Sequence, residues 1–136
     1  MYPPELVAPM KEELTSVGYK QLVSAADVDE QMKEEGTTLV MVNSVCGCAA
    51  GNARPAAIMA TKNAKKPDYF TTVFAGQDVG ATAKAREFMN PFPPSSPSIA
   101  LFQDGQLVHF IERHHIEGRS SQMIADNLKD AFTQVC

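Results

Sequence analysis

The sequence predicts a single α/β domain, and three features of its 136 residues favour that fold class. Short apolar runs typical of buried strands alternate with stretches of helical spacing, which predicts parallel strands joined by right-handed crossovers. Near the C-terminal end, Asp104-Gly105 separates two apolar runs, a strong signal for a β-hairpin. No repeat or domain boundary is visible, so we expect one domain over residues 1–136, ordered α-β-α-β-α-β-α-β-β-α.

The first half of the chain predicts two helices that alternate with two strands. Apolar residues recur at helical spacing from Pro4 to Val17, and Gly18 is a typical C-terminal stop. A second helix is expected from a Ser24 cap to about Gly36. The expected strands are Tyr19–Val23 and Leu39–Asn43.

The third helix is interrupted by Pro55, which lies inside the segment from Cys46 to about Lys62. Because proline removes a backbone hydrogen bond, one prediction is a kinked helix over the whole segment. The alternative is a helix that restarts at Pro55 with Asn52 or Ala53 as its cap, which leaves the cysteines in a short turn.

The second half predicts a strand, a helix, a stiff loop, the hairpin and a final amphipathic helix. Four prolines between Pro91 and Pro97 exclude regular structure there. The expected elements are the strand Tyr69–Ala75, the helix Val79–Met89, the strands Ile99–Phe102 and Leu107–Ile111, and a helix that carries Ile124, Leu128, Ala131, Phe132 and Val135.

Two thiols, Cys46 and Cys48, directly follow the second predicted strand. A helix N-terminus stabilises a thiolate and lowers the pKa of the cysteine, and thiolates attack disulfides. Cys46, nearer the helix start, is the better nucleophile, although the sequence leaves the reverse assignment open. A disulfide across Gly47 would close a small, strained ring that needs glycine, and strained disulfides are labile and catalytic.

Metal binding is the alternative from a different functional class, because a C-x-C pair also chelates soft metals. Spacing argues against a metal, since structural zinc sites usually draw ligands in two close pairs. On a strand end, His114 and His115 would also point to opposite faces. We therefore expect no metal among the candidate ligands Cys46, Cys48, Cys136, His109, His114 and His115.

Two further residues have open roles. Arg54 follows Cys46 by eight residues, so on a continuous helix the two share a similar face, and the arginine would help to hold the thiolate charge. The alternative is an ordinary surface arginine. Cys136, at the C-terminus, is either a flexible third redox thiol or a passenger.

Composition limits the partners. Twelve basic against sixteen acidic residues give a formal charge of −4 without a dense basic cluster, so no nucleic-acid partner is expected. No apolar run approaches membrane-spanning length and the start lacks signal-peptide features. Three cysteines are too few for a secreted disulfide scaffold, so we expect a cytoplasmic protein without a membrane partner.

The element order, with a dithiol opening the helix after the second strand and Pro97 just before the hairpin, resembles the thioredoxin fold. That resemblance implies a three-layer α/β/α domain with a central mixed sheet, here with an extra N-terminal helix. It also implies a cis Ser96–Pro97 bond beside the thiols, with the preceding backbone free to pair with a bound substrate strand.

A second resemblance is carried by these parts of the chain: Val42–Gly51, Ala53–Pro55, Phe74–Asp78, Pro94–Pro97, His109–His114 and the terminal cysteine. Through them nearly the whole chain is similar to the bacilliredoxin family, thioredoxin-like proteins with a C-G-C pair. The resemblance implies that Cys46 is the nucleophile and that Cys48 resolves. Gly47, Arg54, Ser96 and Pro97 are the residues expected to support the site. The resemblance further implies removal of a low-molecular-weight thiol such as bacillithiol from S-thiolated proteins, a disulfide reductase as partner and no cofactor. A general disulfide isomerase or oxidant is the alternative enzyme.

Overall fold

A five-stranded mixed sheet forms the centre of the fold in the computed structural model, which describes residues 1–136. The strand order is β1-β3-β2-β4-β5; β1, β3 and β2 run parallel, and β4 and β5 are antiparallel to their neighbours. The mixed sheet and the terminal hairpin are therefore confirmed. The strands are β1 Lys20–Gln21, β2 Thr37–Asn43, β3 Tyr69–Phe74, β4 Ser98–Gln103 and β5 Gln106–Ile111.

Helices cover both faces of this sheet and complete three layers. One apolar core joins α1, α3 and α6 to the sheet, and a second core joins α2 and α4 to its other face. None of these helices is long and apolar enough to cross a lipid bilayer. The helices are α1 Pro4–Thr15, α2 Ala25–Met32, α3 Arg54–Ala60, α4 Val79–Phe88, α5 Arg113–Ile116 and α6 Ser121–Val135, with a π-helical turn at Ala49–Ala53 before α3.

The central strand β2 contacts both cores and ends just before the dithiol. All of its seven residues are buried. Leu39 and Met41 face the core with α3 and α6, whereas Val40 and Val42 face the core with α2 and α4. Since side chains alternate along a strand, this apolar run needs cover on both sides. The chain then leaves the sheet at Asn43, three residues before Cys46.

The predicted boundaries hold less well than the order of elements. The first strand is only Lys20–Gln21, and the second helix ends at Met32, before the predicted end at Gly36. The short helix α5 was not predicted, because four residues are too few for a visible period. The expectation that His114 and His115 point apart on a strand end is wrong, since both lie on α5.

Candidate active site

Cys46 lies where the chain passes from the sheet into the third helical segment. Its carbonyl accepts hydrogen bonds from the backbone N–H of Ala49 at 3.0 Å and Ala50 at 3.2 Å. Helical backbone begins at Gly47 and continues to Ala60. Cys46 therefore caps one continuous helical segment, as the first of the two sequence predictions requires, and the independent restart at Pro55 is wrong.

The π-helical turn explains how the helix passes Pro55. The Arg54 N–H bonds the carbonyl of Ala49, five residues earlier. A proline ring clashes with the carbonyl four residues before it in a regular α-helix. The wider turn relieves this conflict, and π-turns are frequent at functional sites.

The thiol of Cys46 is set up to ionise. Burial opposes the ionised form, but hydrogen bonds from the Ser44 hydroxyl, from the backbone N–H groups of Ala49 and Cys48, and from the Cys48 side chain outweigh it. Together they lower the pKa of Cys46 below its ordinary value. The side chain is half-buried, so a substrate can still reach the sulfur. A stabilised, accessible thiolate is the form that attacks disulfides.

Cys48 has the opposite tendency. Desolvation raises its pKa, and so do the negative charge of the Cys46 thiolate and, more weakly, that of Glu117; Arg113 acts in the other direction. The thiol packs against the core that includes α3 and α6. The two thiols of the pair thus differ, because the pKa of Cys46 is lowered and that of Cys48 is raised.

Gly47 is exposed, and a Cβ added there would meet no atom within 4 Å. All three cysteines are free in this structure. The dithiol state therefore does not itself require glycine at this position. The need for Gly47 remains a prediction about the Cys46–Cys48 disulfide, whose small ring restricts the backbone.

Arg54 is buried, so the alternative of a surface arginine is wrong. Its Nη1 donates to Oδ1 of Asn43 at 3.0 Å and to the carbonyl of Ser44 at 2.9 Å. Its Nε lies 3.2 Å from Oε1 of Glu13 on α1. The side chain does not contribute to the lowered pKa of Cys46. Arg54 instead fixes the turn that carries Cys46 and ties it to the N-terminal helix.

Ser96 lines the same cleft as Cys46, a space of about 310 Å³ at this end of the sheet. The Ser96–Pro97 bond is cis, as predicted, and Asn90–Pro91 is cis as well. The carbonyl of Ser96 is not free, because it accepts a hydrogen bond from Nη1 of Arg113 at 3.1 Å. The expectation that this backbone is left unpaired for a substrate strand is therefore wrong for the carbonyl.

Two arginines in this cleft, Arg86 and Arg113, were not identified from the sequence. A signal existed for Arg113: β4 and β5 form a hairpin, with Ile99 opposite Ile111, so residues just after β5 lie beside the loop before β4. No comparable signal existed for Arg86, which lies on α4 and reaches the site only through tertiary packing.

Cys136 is not brought together with the other thiols. Its sulfur lies 3.8 Å from Oγ1 of Thr37, the first residue of β2, whereas Cys46 follows the last. The length of that strand separates them by about 20 Å. Partial burial also raises the pKa of the Cys136 thiol. If Cys136 is a redox thiol, its partner in this conformation is another chain.

The candidate metal ligands do not assemble as one shell either. His109 of β5 bonds Asn127 of α6 at 2.6 Å, and Cys136 lies at the opposite end of β2 from Cys46. The structure does bring Glu112, His114 and His115 together, with possible ligand atoms within 4.8 Å of one another. This group includes neither thiol of the C-G-C pair.

Comparison with known proteins gives a family match over almost the full length. A family model described as "Disulphide isomerase" matches residues 2–136. A protein named Bacilliredoxin from Cytophaga hutchinsonii is 53% identical over 135 residues, covering 99% of this chain and all of that protein. Bacilliredoxin BH1716 from Halalkalibacterium halodurans is 51% identical over 136 residues, covering 99% of this chain and 94% of that protein.

Solved structures show the fold. Thioredoxin from Fasciola hepatica has a TM-score of 0.60 at 18% identity and covers 86% of this chain and 99% of its own. Thioredoxin from Malassezia sympodialis has a TM-score of 0.59 at 12% identity, with 87% of this chain and 90% of its own covered. At such low identity these likenesses establish the thioredoxin fold alone.

Proposed function

The chain belongs to the bacilliredoxin family and is a thioredoxin-fold thiol-disulfide oxidoreductase, and from that premise we propose that it removes a low-molecular-weight thiol such as bacillithiol from S-thiolated proteins. The observation that carries this proposal is the opposite displacement of two pKa values in one C-G-C pair: that of Cys46 is lowered and that of Cys48 is raised. In such a pair Cys46 supplies the attacking thiolate and Cys48 supplies the thiol that resolves the mixed disulfide.

The first step is a thiol-disulfide exchange at Cys46. The Cys46 thiolate attacks the sulfur of the small thiol in the mixed disulfide, and the old S–S bond breaks as a new one forms. The substrate protein leaves as a thiolate, which takes up a proton, while the small thiol stays attached to Cys46. No net oxidation occurs in this exchange.

The second step uses Cys48. Attachment of the small thiol removes the negative charge on Cys46, which is one cause of the raised pKa of Cys48. Cys48 then ionises more readily and attacks the Cys46 sulfur, releasing the small thiol and forming the Cys46–Cys48 disulfide. A disulfide reductase supplies the two electrons and two protons that restore the dithiol. We place this cycle in the cytoplasm, where thiols are kept reduced.

A matched pair of variants tests this function. A model protein carrying one bacillithiol adduct is incubated with the enzyme and a dithiol reductant, and its recovered free thiol is measured over time. Wild type and Cys136→Ser are expected to restore the thiol at similar rates, because Cys136 lies far from the cleft. Cys46→Ser is expected to show only the background rate of the reductant. Restoration by Cys46→Ser at the wild-type rate would contradict the proposal.

General disulfide isomerisation is the second candidate, and the description of the matching family model favours it. An isomerase attacks a protein disulfide and returns the electrons to the same substrate, so it needs the first thiol but not the resolving one. Refolding of a scrambled multi-disulfide protein distinguishes the two functions. Equal isomerisation by wild type and Cys48→Ser, without de-thiolation by wild type, favours isomerisation.

A further inference from the structure

The charged side chains that line the cleft around Cys46 are all positive. Two of its lining side chains, Arg86 and Arg113, are cationic, and none is acidic. Cys46 is the only cysteine that lines it. A small thiol joined to the Cys46 sulfur would therefore have two guanidinium groups in the space that receives it.

Arg86 is a cation without a counter-ion. It makes no ion pair, and its one side-chain hydrogen bond runs from Nη2 to the carbonyl of Ser95 at 3.3 Å. Its Nε is buried without a hydrogen-bond partner. Desolvation lowers the pKa of this guanidinium. An unpaired, partly buried charge is unfavourable, and an anion bound in the cleft would offset that cost.

Arg113 is the second cation that lines the cleft. Its Nη1 donates to the Ser96 carbonyl at 3.1 Å and its Nε bonds Oε1 of Glu117 at 2.5 Å. The hydrogen bond to Glu117 raises the pKa of Arg113, as does the negative charge at Cys46. Glu117 thus neutralises part of its charge, which leaves Arg86 as the uncompensated cation of the cleft.

A purely structural role accounts for only part of this arrangement. The two arginines donate to successive carbonyls, those of Ser95 and Ser96, and so hold the segment before Pro97. A neutral donor would suffice for such a clamp. Two permanent charges beside a reactive sulfur, with only one acidic partner between them, fit a ligand that carries its own negative charge.

We propose that Arg86 and Arg113 form a binding subsite for the carboxylates of the small thiol that is transferred to Cys46, so that the enzyme selects anionic thiols. This inference rests on the proposed de-thiolation function for its substrate. Arginine binds carboxylates with two parallel hydrogen bonds, so the subsite would also orient the small thiol with its sulfur toward Cys46.

Transfer between matched adducts tests the selectivity. One model protein carries glutathione, which has two carboxylates, or cysteamine, which has none, on the same cysteine. Transfer to Cys46 is followed by mass in the Cys48→Ser background. We expect wild type to accept glutathione faster than cysteamine. Arg86→Gln should reduce this ratio of rates about tenfold, which corresponds to the loss of one charge-assisted hydrogen bond. Arg86→Lys keeps most of the preference, and added salt reduces it.

Two further variants separate charge recognition from structural damage. Arg113→Gln is expected to reduce the same preference. Arg119→Gln removes an equal charge from an exposed residue outside the cleft, and the preference for glutathione should be unchanged. An unchanged preference in both Arg86→Gln and Arg113→Gln overturns the subsite.

Direct binding separates this inference from the proposed function. S-methylglutathione and S-methylcysteamine, which cannot undergo exchange, are titrated into the dithiol enzyme and followed by NMR. We expect S-methylglutathione to bind more tightly than S-methylcysteamine, and Arg86→Gln to weaken its binding about tenfold. Such binding without transfer of either adduct supports the subsite and contradicts de-thiolation. Equal binding of both probes overturns the subsite.

Discussion

The thiols of Cys46 and Cys48 have pKa values displaced in opposite directions, although only Gly47 separates the two residues. Hydrogen bonds lower the pKa of Cys46, whereas desolvation and the neighbouring thiolate raise that of Cys48. The local path of the chain explains the difference. Cys46 caps the helical segment, and Cys48 enters it and packs against the core.

This difference predicts that Cys46 is alkylated first. Because its folded pKa is lowered, the Cys46 thiolate persists to lower pH than the thiolate of an ordinary cysteine. The iodoacetamide rate at Cys46 should therefore reach half its maximum at a lower pH than the rate at Cys48, whose pKa is raised. Peptide mapping by mass locates the label. Faster labelling of Cys48 or Cys136 at pH 7 would reverse the assignment of roles.

Arg54 predicts a coupling between stability and thiol reactivity. Arg54→Met removes charge-assisted hydrogen bonds to Asn43 and Ser44 inside the fold, so the free energy of unfolding should fall by about 2–4 kcal/mol. The loosened turn should also slow alkylation of Cys46. Urea denaturation measures the first effect. Arg119→Met, at an exposed side chain, is the control and should lie within about 0.5 kcal/mol of wild type.

The position of Cys136 predicts that it takes no part in the reaction of a single chain. Its sulfur is near Thr37, at the opposite end of β2 from Cys46. Cys136→Ser should leave the rate of Cys46 transfer unchanged and abolish any disulfide-linked dimer formed on oxidation. Non-reducing electrophoresis and the transfer assay measure the two effects. A lower single-chain rate at high dilution would show that the C-terminus moves to the dithiol.

The fold was largely predictable because its signals are local. Apolar runs, helical spacing and Asp104-Gly105 mark the elements in order, and the dithiol after β2 is visible in the sequence. The short β1 was overestimated because Leu22 and Val23, although apolar, lie beyond its two paired residues. Pairing to β3 sets that boundary, and the local sequence does not record it.

The candidate site was predictable only where residues are close in sequence. The sequence leaves Arg54 either near the thiolate or on the surface, because its contacts with Glu13 of α1 and Asn43 of β2 depend on tertiary packing. Arg86 approaches the cleft from α4, about forty residues after Cys46, and no local pattern marks it. Burial, not residue type, distinguishes these arginines from ordinary surface ones.

The identity of the species trapped on Cys46 tests the central claim most directly. A Cys48→Ala variant is incubated with a bacillithiolated protein and, separately, with the glutathionylated form, and its mass is measured before and after reduction. The proposed mechanism predicts that the mass of the small thiol is added to Cys46 and that the substrate protein is released free. A trapped disulfide between Cys46 and the substrate protein, or no adduct from either substrate, would contradict it.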